Sequence, residues 1–308
     1  MSLPSFETDR PTPPPMRKTS GMAIWSLILG AASIVCAFFT GLPAILLGLL
    51  ALGRIHGSQG QLTGRWLAIA GTVLGVIGCL LGVVSVFQAL SVRRLAIQRM
   101  QSSIHIHEIG IAIHNYHDVY NAIPLAGSDD SELGLNMSWR VRVLPFIEQK
   151  PLHEQVNYHE PWDSPANSAL LERMPKSYAV PPAQGGHETS YMAFTAQQPV
   201  QSGDLQGMPF FGNGTGRGQG FASLAACVDG TTNTIMIVEA DRDRSAPWMK
   251  PVDLPVDPAN PKAGLGHVRS GGFIVVMGDG SVRFLPNSID NSTLLKLILR
   301  DDGRTVDF

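Results

Sequence analysis

The stretch WLAIAGTVLGVIGCLLGVVSVFQAL, residues 66–90, decides the fold, because none of its 25 residues carries a charge. It continues without proline into a helix-forming segment that ends with HNYHD at residues 114–118. An α-helix needs about 20 apolar residues to cross the hydrocarbon core of a bilayer. The pattern therefore predicts one helix that crosses a membrane and continues into a folded domain formed by residues 91–308.

A second apolar stretch precedes this one, because residues 22–53 also carry no charge. As a helix they would measure about 48 Å, which exceeds a hydrocarbon core of about 30 Å. The Gly-Leu-Pro at residues 41–43 is the predicted break, since proline cannot donate to the helix ladder. One long kinked or tilted helix fits, and so does a helix followed by a re-entrant half-helix. Residues 22–90 are thus predicted to form a membrane module after a disordered, proline-rich tail at residues 1–21.

Four glycines in the second apolar stretch share one helical face. Gly71, Gly75, Gly78 and Gly82 are spaced 4, 3 and 4 residues apart. Glycine is common in membrane helices for other reasons, but a single glycine face lets two helix backbones approach closely. The spacing favours a packing face, and the first apolar stretch is its nearest candidate partner.

The periodicity beyond residue 91 predicts an α+β domain. Two apolar faces run along its first helix, one with Ile106, Ile109 and Ile113 and the other with Ile97, Met100, Ile104 and Ile111. The helix beyond about residue 104 is therefore expected to be a buried spine. Short helices are predicted within residues 139–149 and 165–174, and a last helix at residues 293–299 with Asp290 or Asn291 as its cap. Strands with period-2 alternation follow at residues 190–195, 233–239, 273–277 and 281–285. We therefore expect a long helix packed on an antiparallel sheet, with short helices added.

Two Asp-Gly pairs are predicted as structural turns. Asp279-Gly280 separates the last two strands, which is a strong hairpin signal and predicts a type I′ turn with positive φ at both residues. Val275, Val282 and Phe284 are then expected to pack on the long helix. Asp229-Gly230 precedes another strand and is interpreted in the same way.

Several segments resemble a known family. The matching segments are IGIAIHNYHDVY (109–120), SWRVRVLPFIEQ (138–149), EPWDSPAN (160–167), TSYMAF (189–194), DGTTNTIMIVE (229–239), PWMKPVDLP (247–255) and DGSVRFLP (279–286). Residues 96–308 thereby resemble a family of unknown function, expanded in planctomycetes and described as prepilin-like or, in some schemes, as solute-binding-like. Residues 21–90 resemble a small membrane module that is also of unknown function. The resemblance implies a pseudopilin-like domain.

The sequence departs from that family at three points. No prepilin peptidase site, a Gly-Phe-Thr stretch with a nearby Glu, precedes Leu67. Ser102 and Ala179 occupy the places where family members carry two cysteines, which implies that those cysteines pair elsewhere in the family. Family members usually carry a histidine nine residues before the Asp-Gly of the hairpin. Here 11 residues separate His267 from Asp279.

Catalytic, cofactor and metal sites are not predicted. Cys227 lacks an adjacent histidine, and no serine stands in a nucleophile elbow. The carboxylates are scattered without the loop spacing of a calcium site and are interpreted as turn and surface residues: Asp229, Glu239, Asp241, Asp243, Asp253 and Asp257. Trp139, Trp162 and Trp248 could stack on sugars, but the favoured interpretation places them at the rim of the core with the indole N–H bonded outward.

The charge balance bears on partners and on orientation. Residues 91–308 carry 18 basic and 23 acidic side chains, which argues against a nucleic-acid partner. The Lys/Arg count favours a cytoplasmic domain, whereas the pilin-like resemblance implies that residues 104–308 lie outside the cytoplasmic membrane, and we expect the latter. The expected function is structural or protein-interacting, at the bilayer, with envelope proteins or with further copies of the chain. The alternative is an extracytoplasmic module that binds a ligand such as a glycan.

Overall fold

The computed structural model describes residues 18–57, 62–124, 137–182, 186–211 and 223–306. Most of the predicted proline-rich tail lies outside these residues. The chain divides into two compact units, residues 1–95 and residues 96–308, and each is described by itself.

Unit 1 is built from helices. Helix α1 spans Gly21–Gly57 without interruption and contains Pro43, so the first apolar stretch is one long helix rather than a helix and a half-helix. Helix α2 begins at Arg65 and ends at Tyr120. Strand β1 (Lys18–Thr19) precedes α1, and strand β2 (Leu62–Thr63) precedes α2. The two strands pair in parallel. Both helices are long and apolar enough to cross a membrane, which is consistent with membrane anchoring or with a signal sequence.

The glycine face of α2 lies against α1. All four glycines at positions 71, 75, 78 and 82 are buried. A Cβ atom at Gly71 would lie 2.5 Å from the backbone carbon of Ser26, and one at Gly75 would lie 3.0 Å from the backbone oxygen of Gly41. Larger side chains at these two positions would force the helix backbones apart.

In the described part of unit 2 the strands are β3 (Glu188–Thr189), β4 (Tyr191–Thr195), β5 (Val200–Ser202), β6 (Leu205–Gly207), β7 (Ile235–Glu239), β8 (Ala246–Pro247), β9 (Leu254–Pro255), β10 (Gly272–Met277) and β11 (Val282–Pro286). Five of them form one sheet with the order β11-β10-β7-β4-β9. All neighbouring pairs are antiparallel except β4 and β9, which are parallel. The prediction of a purely antiparallel sheet is therefore wrong at this edge, where a two-residue strand joins after a long connection.

Within the described residues, unit 2 also contains four short α-helices, namely α3 (Trp139–Arg142), α4 (Lys150–His153), α5 (Pro165–Ser168) and α6 (Asn291–Ile298). Ser164 caps α5 by accepting a hydrogen bond from the Asn167 N–H, and Asp290 caps α6 in the same way through Thr293. The helix predicted up to residue 174 instead ends at Ser168, and a separate 3-10 turn follows. Cap and proline signals define where a helix starts, but they do not define its length.

The sheet has helices on both faces. On one face Ile106, Ile109 and Ile113 of α2 pack with Ile274 and Val276. On the other face α6 packs with a second set of strand residues, which includes Phe273, Val275 and Met277. Val275 is thus on the α6 side, and its predicted contact with α2 is wrong. The predicted alternation of side chains along β10 was correct. The predicted assignment of its two faces was shifted by one residue, and such a shift moves each side chain to the opposite face of the sheet.

Gly110 allows α2 to approach the sheet closely. A Cβ atom at this position would lie 2.9 Å from Cγ1 of Val276 and 3.8 Å from Cα of Gly280. Val282 and Phe284 pack against this core as predicted, and the Arg99 guanidinium lies 3.7 Å from the centre of the Phe284 ring. The hairpin near the C-terminus therefore rests directly on the helix that begins the unit.

The turn between β10 and β11 is not type I′. Gly280 has φ +85°, but Asp279 is not among the residues with positive φ. The Gly280 N–H donates to the Met277 oxygen, and the Met277 N–H donates to the Ser281 oxygen. This is a three-residue loop with glycine in the left-handed region at its end, a common alternative hairpin geometry. The Asp279 side chain accepts from the Ser281 N–H at 2.8 Å, so it stabilises the loop locally.

We predict that Gly280→Val destabilises the fragment 91–308 by about 1–3 kcal/mol, because a β-branched residue at this φ is strained. Asp279→Asn keeps the oxygen that accepts from Ser281 and should be nearly neutral. Urea denaturation of both variants measures the difference. Equal stability of the Gly280→Val variant and the parent would contradict the assigned turn.

Candidate functional site

The outer face of α2 carries four exposed apolar side chains within unit 2. Ile97, Met100, Ile104 and Ile111 are 56%, 66%, 54% and 46% exposed. At 100° per residue these four side chains fall within an arc of about 60°. Ile106, Ile109 and Ile113, which face the sheet, lie on the opposite side of the helix. We call the four exposed residues the outer stripe.

The spacing of the outer stripe is that of a helix seam. Its members are separated by 3, 4 and 7 residues, and the exposed His107 stands at the intermediate position. In heptad notation the three isoleucines occupy a positions, and Met100 and His107 occupy d positions. A helix that is apolar on all sides is normally buried on all sides. Within the described part of unit 2, α2 is covered on one side only, so the expected burial beyond residue 104 is wrong for Ile104 and Ile111. The outer stripe is therefore a candidate interface.

The three tryptophans do not form a common ligand surface. Trp139 and Trp248 are fully buried, so neither indole face is open to a sugar, and the sugar-stacking alternative is wrong for these two. Their N–H groups donate to Asp253 at 3.1 Å and to the Leu171 oxygen at 3.1 Å. Trp162 is partly buried, with the Lys250 ammonium 5.7 Å from its ring centre.

The second Asp-Gly pair positions the C-terminal segment. The buried Asp229 carboxylate accepts from the N–H groups of Asp302 and Gly303 at 2.7 and 2.8 Å. Gly230 has φ +93°, which glycine accepts without strain. Burial, together with the neighbouring Asp229, raises the pKa of Asp302 to about 6. The pair therefore connects the turn before β7 to residues 302–303.

Two buried ion pairs correct the interpretation of the carboxylates as surface residues. Arg140 and Asp253 lie 2.9 Å apart with side chains 1% and 0% exposed. Arg269 and Glu239 lie 2.6 Å apart and are also buried. Ser102 on α2 donates to Glu239 at 2.6 Å. The sequence offered one signal for the first pair, since Arg140 stands between the apolar residues Trp139 and Val141, but Arg142 shows the same pattern and is not fully buried.

A third pair joins Asp241 and His267 at the surface. The His267 Nδ1 lies 2.6 Å from Asp241 Oδ2, and the His267 backbone N–H donates to Asp241 Oδ1 at 2.7 Å. The imidazole is 86% exposed, whereas the carboxylate is 7% exposed. The hydrogen bond to Asp241 is the main cause that raises the pKa of His267. Sequence spacing did not reveal this pair, because 25 residues separate its members.

Unit 2 is an α+β domain in which one long helix crosses one face of a mixed sheet, and unit 1 supplies two apolar helices. Residues 94–254 match the family SBP_bac_10, described as a protein of unknown function (DUF1559), and the chain belongs to this family. Residues 22–85 match a second domain of unknown function, DUF4190. No curated protein and no solved structure matches the chain.

We predict that Asp241→Asn lowers the pKa of His267 towards its ordinary value of about 6.5. The pKa is raised in the folded state, so the stability that this pair contributes is present below about pH 6.5 and is lost as the pH rises through the folded-state value. NMR titration of the His267 ring measures the shift. Asp243→Asn is the matched control and should change the pKa less, because Asp243 acts only through its charge. An unchanged pKa in Asp241→Asn would contradict the geometry.

Proposed function

We propose that the protein is a membrane-anchored domain that associates with further copies of itself through the outer stripe of α2. The observation that carries the proposal is the exposed seam of Ile97, Met100, Ile104 and Ile111 on the side of α2 that faces away from the sheet. The family assignment and the two apolar helices agree with a membrane-anchored domain of unknown function. The proposal assigns a structural role and no catalytic one.

A second copy of the chain suits this surface for a geometric reason. Copies anchored in one bilayer by the same apolar segment point in the same direction and start at the same depth. Their α2 helices are therefore parallel and in register, so that each a or d residue meets its own counterpart. Isoleucine at a positions is typical of parallel helix pairs. No such register is expected between α2 and an unrelated soluble protein.

The membrane also compensates for the short length of the seam. Four apolar residues over about two heptads would bind weakly in solution, because association costs translational and rotational freedom. Tethering to a shared surface raises the effective concentration of each copy for the other. The association is therefore expected in bilayers and at high local density rather than for a dilute soluble fragment. A pseudopilin-like assembly role is one specific form of this proposal.

We predict that a cysteine at position 104 forms a disulfide between copies in native membranes. In a parallel pair the two Cα atoms at an a position lie within the range of about 4.4–6.8 Å that a disulfide requires. The chain offers a matched control at Val119, which is 64% exposed on the same helix but lies outside the seam. In a background without Cys36, Cys79 and Cys227, non-reducing gels should show at least fivefold more dimer for Ile104→Cys than for Val119→Cys.

Loss of the seam should remove that signal. The double change Ile97→Gln and Ile111→Gln should reduce the disulfide yield at position 104 at least fivefold, whereas Val119→Gln should leave it unchanged. Equal yields at positions 104 and 119 would sink the homotypic proposal. Crosslinking of position 104 only to another envelope protein would replace it with a heterotypic one.

We further propose that the anchor lies in the cytoplasmic membrane with residues 104–308 outside the cytoplasm, in line with the pilin-like resemblance and against the Lys/Arg count. Reporter fusions after Phe308 test this orientation. We expect a reporter that works only outside the cytoplasm to be active when it is fused after Phe308. The control is the same reporter fused after residue 64, which lacks α2 and should lie on the opposite side of the membrane. Activity of a cytoplasm-only reporter in the full-length fusion would overturn it.

A further inference from the structure

Two adjoining cavities lie beside the loop that leads into β10. Their volumes are about 440 Å³ and about 510 Å³. Gly264 and His267 line both of them, so they form one surface groove. The lining of the first cavity also includes residues 241–243, and that of the second includes Arg244, Lys262, Asn260 and Asn287. None of these residues belongs to the outer stripe of α2, so the groove is independent of the proposed self-association.

The groove collects positive charge on an acidic domain. Arg242, Arg244, Lys262 and His267 line it, and its two carboxylates are Asp241 and Asp243. Asp241 is buried and already paired with His267, and the exposed Asp243 carboxylate lies 3.8 Å from Arg244 Nε. Arg242 and Lys262 remain as cations in excess of the two carboxylates. The local balance is therefore cationic, whereas residues 91–308 as a whole carry 18 basic against 23 acidic side chains. Such a local reversal of sign favours binding of an anion.

Neighbouring residues fix the positions of three of the cationic side chains. The Arg244 side chain lies across Gly264, where a Cβ atom would come within 2.8 Å of Arg244 Nε. Gly264 also has φ +79°, so glycine is required twice over at this position. The Lys262 ammonium donates to the Asn287 backbone oxygen at 3.1 Å. Since Nδ1 of His267 is bound to Asp241, its Nε2 is the nitrogen that can meet a ligand.

The loop itself is fixed by hydrogen bonds to its neighbours. The Asp241 N–H donates to the Gly264 oxygen at 2.7 Å, and the Asn287 side chain donates to the Gly266 oxygen at 3.0 Å. The buried side chains of Leu265 and Phe273 supply an apolar wall to the second cavity. A preset arrangement of donors lowers the entropy cost of binding. The volume also falls in the usual range for small-ligand sites, about 300–1,000 Å³.

We propose that this groove binds the oxyanion group of a small ligand, a carboxylate or a phosphate, between Arg244, Lys262 and His267. Arginine and lysine provide charge-assisted hydrogen bonds to either group. The apolar wall formed by Leu265 and Phe273 receives the non-ionic part of the ligand. The anion has two sources with the same chemistry, namely a dissolved acid or phosphate ester and the headgroup of an anionic lipid.

The test uses the full-length chain in nanodiscs. In the first arm the nanodisc lipid is zwitterionic, and inorganic phosphate or glucuronate is titrated while the His267 ring resonance and the binding heat are recorded. In the second arm the nanodisc contains phosphatidylglycerol, and no anion is added. A ligand-dependent shift of the His267 resonance in the first arm assigns the site to dissolved anions, and a shift in the second arm assigns it to the headgroup.

The variants decide whether the groove is responsible. The double change Arg244→Gln and Lys262→Gln should weaken binding at least tenfold, and His267→Gln should weaken it about threefold to tenfold. Lys176→Gln removes an exposed cation that lines neither cavity, and it should leave binding unchanged. Thermal unfolding of each variant confirms that the domain is folded.

Two results would overturn the proposal. One is the absence of any shift and of binding tighter than about 10 mM in both arms. The other is an equal loss of binding in Lys176→Gln and in the groove variants. Binding of the anion would then depend on the net charge of the protein rather than on this groove.

Discussion

Unit 2 depends on the contact between the inner face of α2 and the central sheet. Ile106, Ile109 and Ile113 bury their side chains there, and Gly110 brings the helix backbone within reach of Val276. Each fully buried isoleucine contributes about 1.5–3 kcal/mol relative to an exposed one. The sheet covers only the side of α2 that carries these isoleucines. The opposite side of the helix is therefore left exposed within unit 2. The outer stripe is therefore a direct consequence of how the core is built.

Buried polar groups make that contact specific. Apolar packing alone would tolerate a shift of α2 along the sheet, since isoleucine side chains can repack. Ser102 is different, because it lies between Glu239 and the Tyr191 hydroxyl, at 2.6 Å from each. Glu239 is also paired with Arg269. A shift of the helix would leave a buried carboxylate short of one partner, which is costly in the protein interior.

The two proposed surfaces differ in how they arise. The outer stripe is made of residues that are close in sequence and repeat with the helical period. The groove around His267 assembles residues 241–244 and 260–268 with Phe273 of β10 and with Asn287, which follows β11. Arg242 and Arg244 lie on a 3-10 turn, whereas Lys262 and His267 lie on the loop that contains Gly264 and Gly266, both with positive φ. The first surface suits a large apolar partner, and the second suits a small charged one, so both can operate in one molecule.

Local patterns were sufficient for much of the fold. The four main strands were predicted within two residues of their observed ends, and Asp290 was named as one of two caps of α6. These features depend on residues that are neighbours in sequence. The type I′ turn was wrong because an Asp-Gly pair suits two hairpin geometries, and the sheet register selects between them. The same register placed Val275 on the α6 side of the sheet.

By itself the sequence determined the two apolar segments, the glycine face of α2, the apolar faces of that helix and the α+β class. All of these follow from composition and from the periods of helices and strands. Only the tertiary structure decided which apolar face of α2 is buried, because both faces have similar hydrophobicity and the sheet covers one. It also decided that Glu239 and Asp253 are buried ion-pair partners rather than surface carboxylates. Their arginines lie 30 and 113 residues away in the chain, and no local pattern encodes a pairing over such separations.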